Sequence, residues 1–171
     1  MASQPRKTGN HARSTSATRG ARRIAKPATE SAGSVIKAGD RRLSLEALRV
    51  AKSVLFIHDT AGELLFDRLL IEKMQKPRQA IVSVVREAPI LADATRGDAV
   101  AVGLDRVATI IDPGIDCLGV PLAACSEEFR AHYRAAEVVV AKGQAAFETL
   151  EGKDSQIDGE EKQVFFLLRV K

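Results

Sequence analysis

Val54-Leu55-Phe56-Ile57-His58-Asp59-Thr60-Ala61-Gly62-Glu63 decides the fold of this chain. An apolar run with β-branched members stops at an acidic, glycine-containing turn. The period then changes: Leu65, Phe66, Leu69, Leu70 and Met74 fall on one side of a helix, and Glu63, Asp67, Arg68, Glu72 and Lys73 on the other. The expectation is a buried strand running into a turn that opens an amphipathic helix. Ligands of open α/β sheets sit outside the carboxyl ends of the strands, beside helix N-termini. Asp59 falls at that edge, with its carboxylate toward the crevice.

Outward from this unit, strands and helices alternate. Upstream, Ser44 to Lys52 reads as a short helix with Ser44 as its N-cap. Downstream, Ala80 to Val85 is a second strand, and Pro89 ends its pairing. Ile90 to Thr95 enters a helical stretch toward Val102. Val107 to Ile111 is a third strand, closed by Asp112-Pro113-Gly114. Ser126 to Ala136 is a helix with Ser126 as cap and Glu127 and Glu128 at its positive end. Glu137 to Ala141 is a fourth strand, ending at Lys142-Gly143-Gln144, and a helix with Phe147 and Leu150 follows. Gly152 to Lys162 is a polar loop, and Gln163 to Val170 a last strand. Continuous apolar strands separated by helices predict a Rossmann-like α/β fold, with a mostly parallel sheet and helices on both faces.

The chain has 171 residues, enough for one domain with a real core. Aromatic residues make up only 4%, so Val, Ile, Leu and Ala must build that core. No apolar stretch approaches the roughly 20 residues of a membrane span, and no apolar h-region follows the start. Cys117 and Cys125 match no zinc or redox spacing, and a reducing, cytoplasmic location is the expectation. The net charge of +4 is unevenly spread. Residues 1–26 hold seven Lys and Arg and no acid; the remainder carries 19 basic against 22 acidic side chains. Residues 1–30 read as a basic disordered tail and residues 31–171 as the folded domain. Such a tail can bind nucleic acid electrostatically, but no aromatic residue is interleaved to stack on bases, so a solvated leader is the preferred reading.

Three strand ends supply polar groups: Asp59-Thr60 after the first, Asp93 after the second and Lys142 after the fourth. Two carboxylates and a hydroxyl are hard oxygen ligands suited to Mg²⁺ or Mn²⁺. A lysine and the amides of Gly62 and Gly143 suit a phosphate. Together they suggest metal-assisted phosphate chemistry, although any α/β sheet has acids near its strand ends.

Longer segments add to this. Asp59-Thr60-Ala61-Gly62-Glu63, with Phe66-Asp67 following, resembles the Asp-Asn-x-Gly-Glu motif of the metal-dependent damage-control phosphatases, long labelled domain of unknown function eighty-nine. Pro89-Ile90-Leu91-Ala92-Asp93-Ala94-Thr95 resembles that family's Pro-Ile-x-Asn-Asp-Ala-Thr segment, and Lys142-Gly143-Gln144-Ala145-Ala146-Phe147-Glu148 its Lys-Gly-Gln-x-Asn-Phe-Glu segment. Gly103-Leu104-Asp105 and the closing Phe165 to Lys171 also fit, so the resemblance runs from about Leu45 to Lys171. It implies a Rossmann-like domain with a bound divalent cation (Mg²⁺, Mn²⁺, Co²⁺ or Ni²⁺) that hydrolyses sugar phosphates or damaged phosphometabolites. The partner it implies is a small phosphorylated metabolite, not a membrane. Carried over, Asp59, Thr60 and Asp93 are the metal ligands, with Asp59 also catalytic, while Lys142, Gly143 and Glu63 bind phosphate or substrate.

The chain departs from the pattern at Thr60 and Ala92, where the family has Asn, and in the basic sequence that replaces the family's N-terminal helical segment. A truncated or frameshifted paralogue is the expectation. A catalytically inactive remnant with a structural or ligand-binding role, and nucleic-acid binding through the tail, are the alternatives. Local readings also stand beside the chemical ones. Thr60-x-x-Glu63 is by itself a capping box. Asp93 is a ligand or the cap of the helix entered at Ala94, and Lys142 holds a phosphate or neutralises a neighbouring acid. His58 points away from Asp59 and reads as a packed histidine, and the two cysteines read as loop and helix residues.

Overall fold

A computed structural model describes residues 41–159 and 162–168. The basic tail (residues 1–30), its boundary with the domain and the place of the family's N-terminal segment lie outside the described residues. The elements run α1 (Arg41–Val50), β1 (Ser53–Ile57), α2 (Leu64–Met74), β2 (Ala80–Val84), α3 (Arg96–Ala101), β3 (Thr109–Ile111), α4 (Glu127–Ala135), β4 (Val138–Lys142), α5 (Gln144–Leu150) and β5 (Val164–Leu167). Short 3₁₀ turns precede α2 and β3 and follow α5. No helix among the described residues is long and apolar enough to cross a membrane.

All five strands are parallel, in the order β3-β2-β1-β4-β5. The chain moves outward from β1 to β3, then returns to the other side of β1 to lay down β4 and β5. The strand order therefore reverses between β1 and β4, and a crevice opens at their carboxyl ends. Apolar residues fill both faces because strand side chains alternate. Leu55 and Ile57 join Val139, Ala141 and Phe166 under Phe129 and Tyr133 of α4 and Leu150 of α5. Val54 and Phe56 join Ile81, Val138 and Val140 under Leu64 and Ile71 of α2. A strand buried on both faces reads as a continuous apolar run, which is why β1 is so plain in sequence.

Three local expectations are corrected. Ser44 is not an N-cap, because the helix already runs at Arg41 and Ser44 lies within α1. The helical stretch after Pro89 starts later, at Arg96, capped by Thr95 in a reciprocal box with Asp98. The largest difference is the face of α2. It buries Leu64, Asp67 and Ile71 and leaves Leu65, Phe66, Leu69 and Leu70 exposed, Phe66 to 71%. Two apolar stripes compete on this helix, and the one that wins also carries Asp67 to the edge of the sheet.

Urea unfolding of alanine variants distinguishes the two stripes. Ile71→Ala is expected to destabilise by about 2–5 kcal/mol, and Leu65→Ala by less than about 1 kcal/mol. The reverse order would place the buried face where periodicity alone puts it.

Candidate functional site

Register brings the site together. β1 and β4 pair with Ile57 opposite Ala141, so the residues just beyond them, His58 with Lys142 and Asp59 with Gly143, come side by side. Gly143 has φ +82°, and a Cβ built on it would overlap the Asp59 carboxylate. Only glycine meets both demands, a left-handed backbone and a carboxylate pressed against it.

Asp93 reaches the site on a returning loop. After β2 the chain turns at Pro89, passes through Leu91 at φ +51°, and comes back between the ends of β1 and β2. There the Ala94 amide donates to Asp59 O (2.8 Å), the Arg86 amide donates to Ala94 O (2.8 Å), and the Ala61 amide donates to Ala92 O (3.0 Å). Residues 92–95 thus form a wedge hydrogen-bonded to both strand ends. Asp93 does not cap α3, since Thr95 does. Instead its Oδ2 accepts from Arg86 Nε at 3.1 Å.

On the other side of β1, a chain of buried polar groups crosses from strand to helix. His58 lies on the side of Phe56, its ring centroid 4.8 Å from the Phe56 ring. Its Nδ1 is 2.9 Å from Asp67 Oδ2. Lys142 Nζ donates to both Asp67 oxygens, at 2.8 and 3.0 Å, and also pairs with Glu63. Burial lowers the His58 pKa, against the pull of Asp67, so the ring is neutral near pH 7. An ionised carboxylate cannot donate, so Nδ1 carries the proton. Burial alone would raise Asp67, but the His58 and Lys142 hydrogen bonds outweigh it and hold the carboxyl below its ordinary range. Burial alone would lower Lys142, and its two carboxylate partners raise it instead.

The capping box read at Thr60-x-x-Glu63 does not form: neither the 3₁₀ turn starting at Ala61 nor α2 has a side-chain cap hydrogen bond. Glu63 is turned to Lys142. Asp59 stands apart. Among the described residues its carboxylate has no hydrogen-bond or ion-pair partner, whereas Glu63, Asp67 and Asp93 each have a cation. Burial, together with the charges of Glu63, Asp93 and Asp67, raises the Asp59 pKa against the opposing pull of Lys142. Among the described residues no three His, Cys, Asp or Glu side chains gather within metal-holding reach. The carboxylates at this edge that are not tied to Lys142 are Asp59 and Asp93, and Thr60 pairs with Asp93 through an isolated bridge. An open groove of about 650 Å³ leads away, lined by Asp59, Glu63, Lys142, Gly143 and the apolar Phe66 and Leu168.

The six residues singled out in the sequence therefore belong to one edge, at the end of β4 and in the turns after β1, β2 and β4. Asp67 and Arg86 were missed. Asp67 looks like part of a solvated face, and only its place after Phe66 in the longer motif hinted otherwise. Arg86 carried no signal, because a charged residue just past a strand is ordinarily solvated.

These features define a doubly wound parallel α/β domain with an acid-rich site at its switch point. The chain matches the damage-control phosphatase ARMT1-like domain over residues 16–171, and it belongs to that family. It is 40% identical over 120 residues to the protein MJ0202 of Methanocaldococcus jannaschii, covering 70% of this chain and 38% of that one. It is 38% identical over 133 residues to the damage-control phosphatase PH1575 of Pyrococcus horikoshii, covering 77% and 44%. A damage-control phosphatase of Archaeoglobus fulgidus is 34% identical over 119 residues, covering 69% and 39%. The crystal structure of the DUF89 family protein PH1575 superposes with a TM-score of 0.68 at 37% identity, over 75% of this chain and 44% of that one. The chain thus spans less than half the length of each of these relatives.

The depressed Asp67 carboxyl stabilises the fold above the ordinary carboxylate pKa, and that contribution fades as pH falls through the folded value. Asp67→Asn is expected to lose about 3 kcal/mol at pH 7 by leaving Lys142 buried without its main partner. In urea unfolding the gap from wild type should close as pH drops below about 4. A pH-independent gap would assign the loss to packing.

Proposed function

We propose that this domain is a divalent-cation-dependent phosphatase acting on small phosphorylated metabolites, sugar phosphates or damaged phosphometabolites among them. The observation that carries the reading is Asp59: a carboxylate with no cationic side-chain partner among the described residues, set against Gly143 and crowded by Glu63, Asp67 and Asp93. Such a concentration of like charge fits a bound cation. The donor set is hard oxygen and small in number. That suits Mg²⁺ or Mn²⁺, since Mg²⁺ keeps several waters and is usually bound by one or two carboxylates plus substrate phosphates. Asp59 and Asp93 would hold the ion, with the Thr60 hydroxyl as a further donor. When bound, it supplies Lewis-acid polarisation of the phosphoryl group and a more acidic water.

The chain's own groups do the remaining work. Gly143 presents no side chain, so the Asp59 carboxylate can lie against its backbone at the head of the groove. Lys142 is the cation aimed at the substrate phosphate, and at rest it is held by Asp67 and Glu63. The two partners are not equivalent: the Asp67 side chain is 6% exposed and that of Glu63 50%. Glu63 is the one that yields when a phosphate arrives, while Asp67, braced by His58, keeps the lysine in place. The second reading, a catalytically inactive remnant with a structural or ligand-binding role, is favoured by the pairing of Lys142, because a lysine neutralised twice attracts phosphate weakly.

Two measurements decide. Purified protein with Mn²⁺, Co²⁺ or Ni²⁺ should release phosphate from an aryl phosphate, and Asp59→Ala should reduce release to background. Absence of turnover across a panel of sugar phosphates, with metal bound, would leave only the second reading. Glu63→Gln frees Lys142, so KM should fall several-fold while kcat changes little. An unchanged KM would remove Glu63 from substrate binding.

A further inference from the structure

Arg86 sits just beyond β2 with 7% of its surface exposed. Burying a guanidinium costs several kcal/mol unless its donors are matched. Its partners show what it holds. Nε donates to Asp93 Oδ2 at 3.1 Å, and Nη2 donates to Gly119 O at 2.8 Å. Among the described residues Nη1 is buried with no hydrogen-bond partner. With His58, Asp59, Asp93 and Ala94, Arg86 lines a narrow crevice beneath the two site carboxylates.

Both ends of this link are stiff. The Arg86 backbone is bonded on both sides to the wedge: its amide donates to Ala94 O, and its carbonyl accepts from the Arg96 amide. Gly119 is wedged against α5, where a Cβ would run into Ala145 O and lie 2.6 Å from Thr149 Oγ1. Its φ of +73° fixes the direction of the chain there. Arg86 therefore ties Asp93 to a part of the fold that does not give, through one carboxylate oxygen. The other, Oδ1, has no hydrogen bond among the described residues.

We infer that Arg86 is a positioning residue that restricts Asp93 to one-oxygen coordination and so sets the site's preference for small octahedral cations over Ca²⁺. The inference rests on Asp59 and Asp93 being the metal ligands. Mg²⁺ and Mn²⁺ favour oxygen ligands in octahedral sites, whereas Ca²⁺ accepts more ligands and takes carboxylates in bidentate fashion. A guanidinium on Oδ2 denies that second oxygen. Partners that orient a metal ligand from behind typically change metal affinity by 10–100-fold when removed.

The test is calorimetric titration of Mn²⁺ and of Ca²⁺ into the purified chain, wild type against Arg86→Gln, Arg86→Lys and Asp59→Asn, with circular dichroism as the check on folding. Arg86→Gln is expected to weaken Mn²⁺ binding by about 10–100-fold and to narrow the Mn²⁺ to Ca²⁺ affinity ratio. Arg86→Lys keeps the charge but not the planar fork, so its Mn²⁺ affinity should be intermediate and its ratio narrowed as well. A folded Arg86→Gln with wild-type affinity and ratio overturns the inference. If that variant does not fold, an unchanged ratio in Arg86→Lys overturns it. Asp59→Asn separates the two levels: if it leaves Mn²⁺ binding intact, the metal reading itself fails, whereas loss there with no effect at Arg86 sinks only the role of Arg86.

Discussion

Charge balance at the carboxyl edge of the sheet is the constraint on which the rest of the site depends. Four carboxylates, Asp59, Glu63, Asp67 and Asp93, meet two cations, Lys142 and Arg86. Buried or half-buried charges are tolerable only when paired and hydrogen-bonded. The pairing divides the cluster: Lys142 takes Asp67 and Glu63, Arg86 takes Asp93, and Asp59 is left over. That remainder is what makes the edge a candidate cation site and not simply a network of ion pairs. It also explains why Asp67 has to be buried on α2, a placement that turns the helix and exposes its larger apolar stripe.

The strands and their order of appearance were legible because a strand covered on both faces must be apolar at successive positions, and Val54 to Ile57 and Val138 to Ala141 are. Parallel pairing followed from the alternation with helices. The orientation of α2 was not legible, since periodicity selects the most apolar stripe and is blind to a lysine 75 residues away that needs Asp67. Thr60-x-x-Glu63 satisfied a local rule, but the same long-range lysine recruited Glu63 instead. Asp59, Asp93 and Lys142 were placed at the right edge by their positions after strands and by the longer motifs. How Asp93 gets there was not visible, because the wedge at residues 92–95 is a nonlocal pairing with both β1 and the end of β2. Arg86 lay beyond reach for the same reason: its two partners are 7 and 33 residues away.

The wedge has a consequence for how such a site can change. Because Ala94 is bonded to both Asp59 and Arg86, and Arg86 to Asp93, the two carboxylates and the arginine behind them are linked into one hydrogen-bonded unit. A substitution there disturbs every member. The opposite wall of the groove is built differently: Glu63 is half exposed, Phe66 lies open to solvent, and neither is bonded into the wedge. Variation at Glu63 and Phe66 is therefore nearly free of cost to the fold. The architecture separates a part that must be inherited whole from a part that can drift one residue at a time.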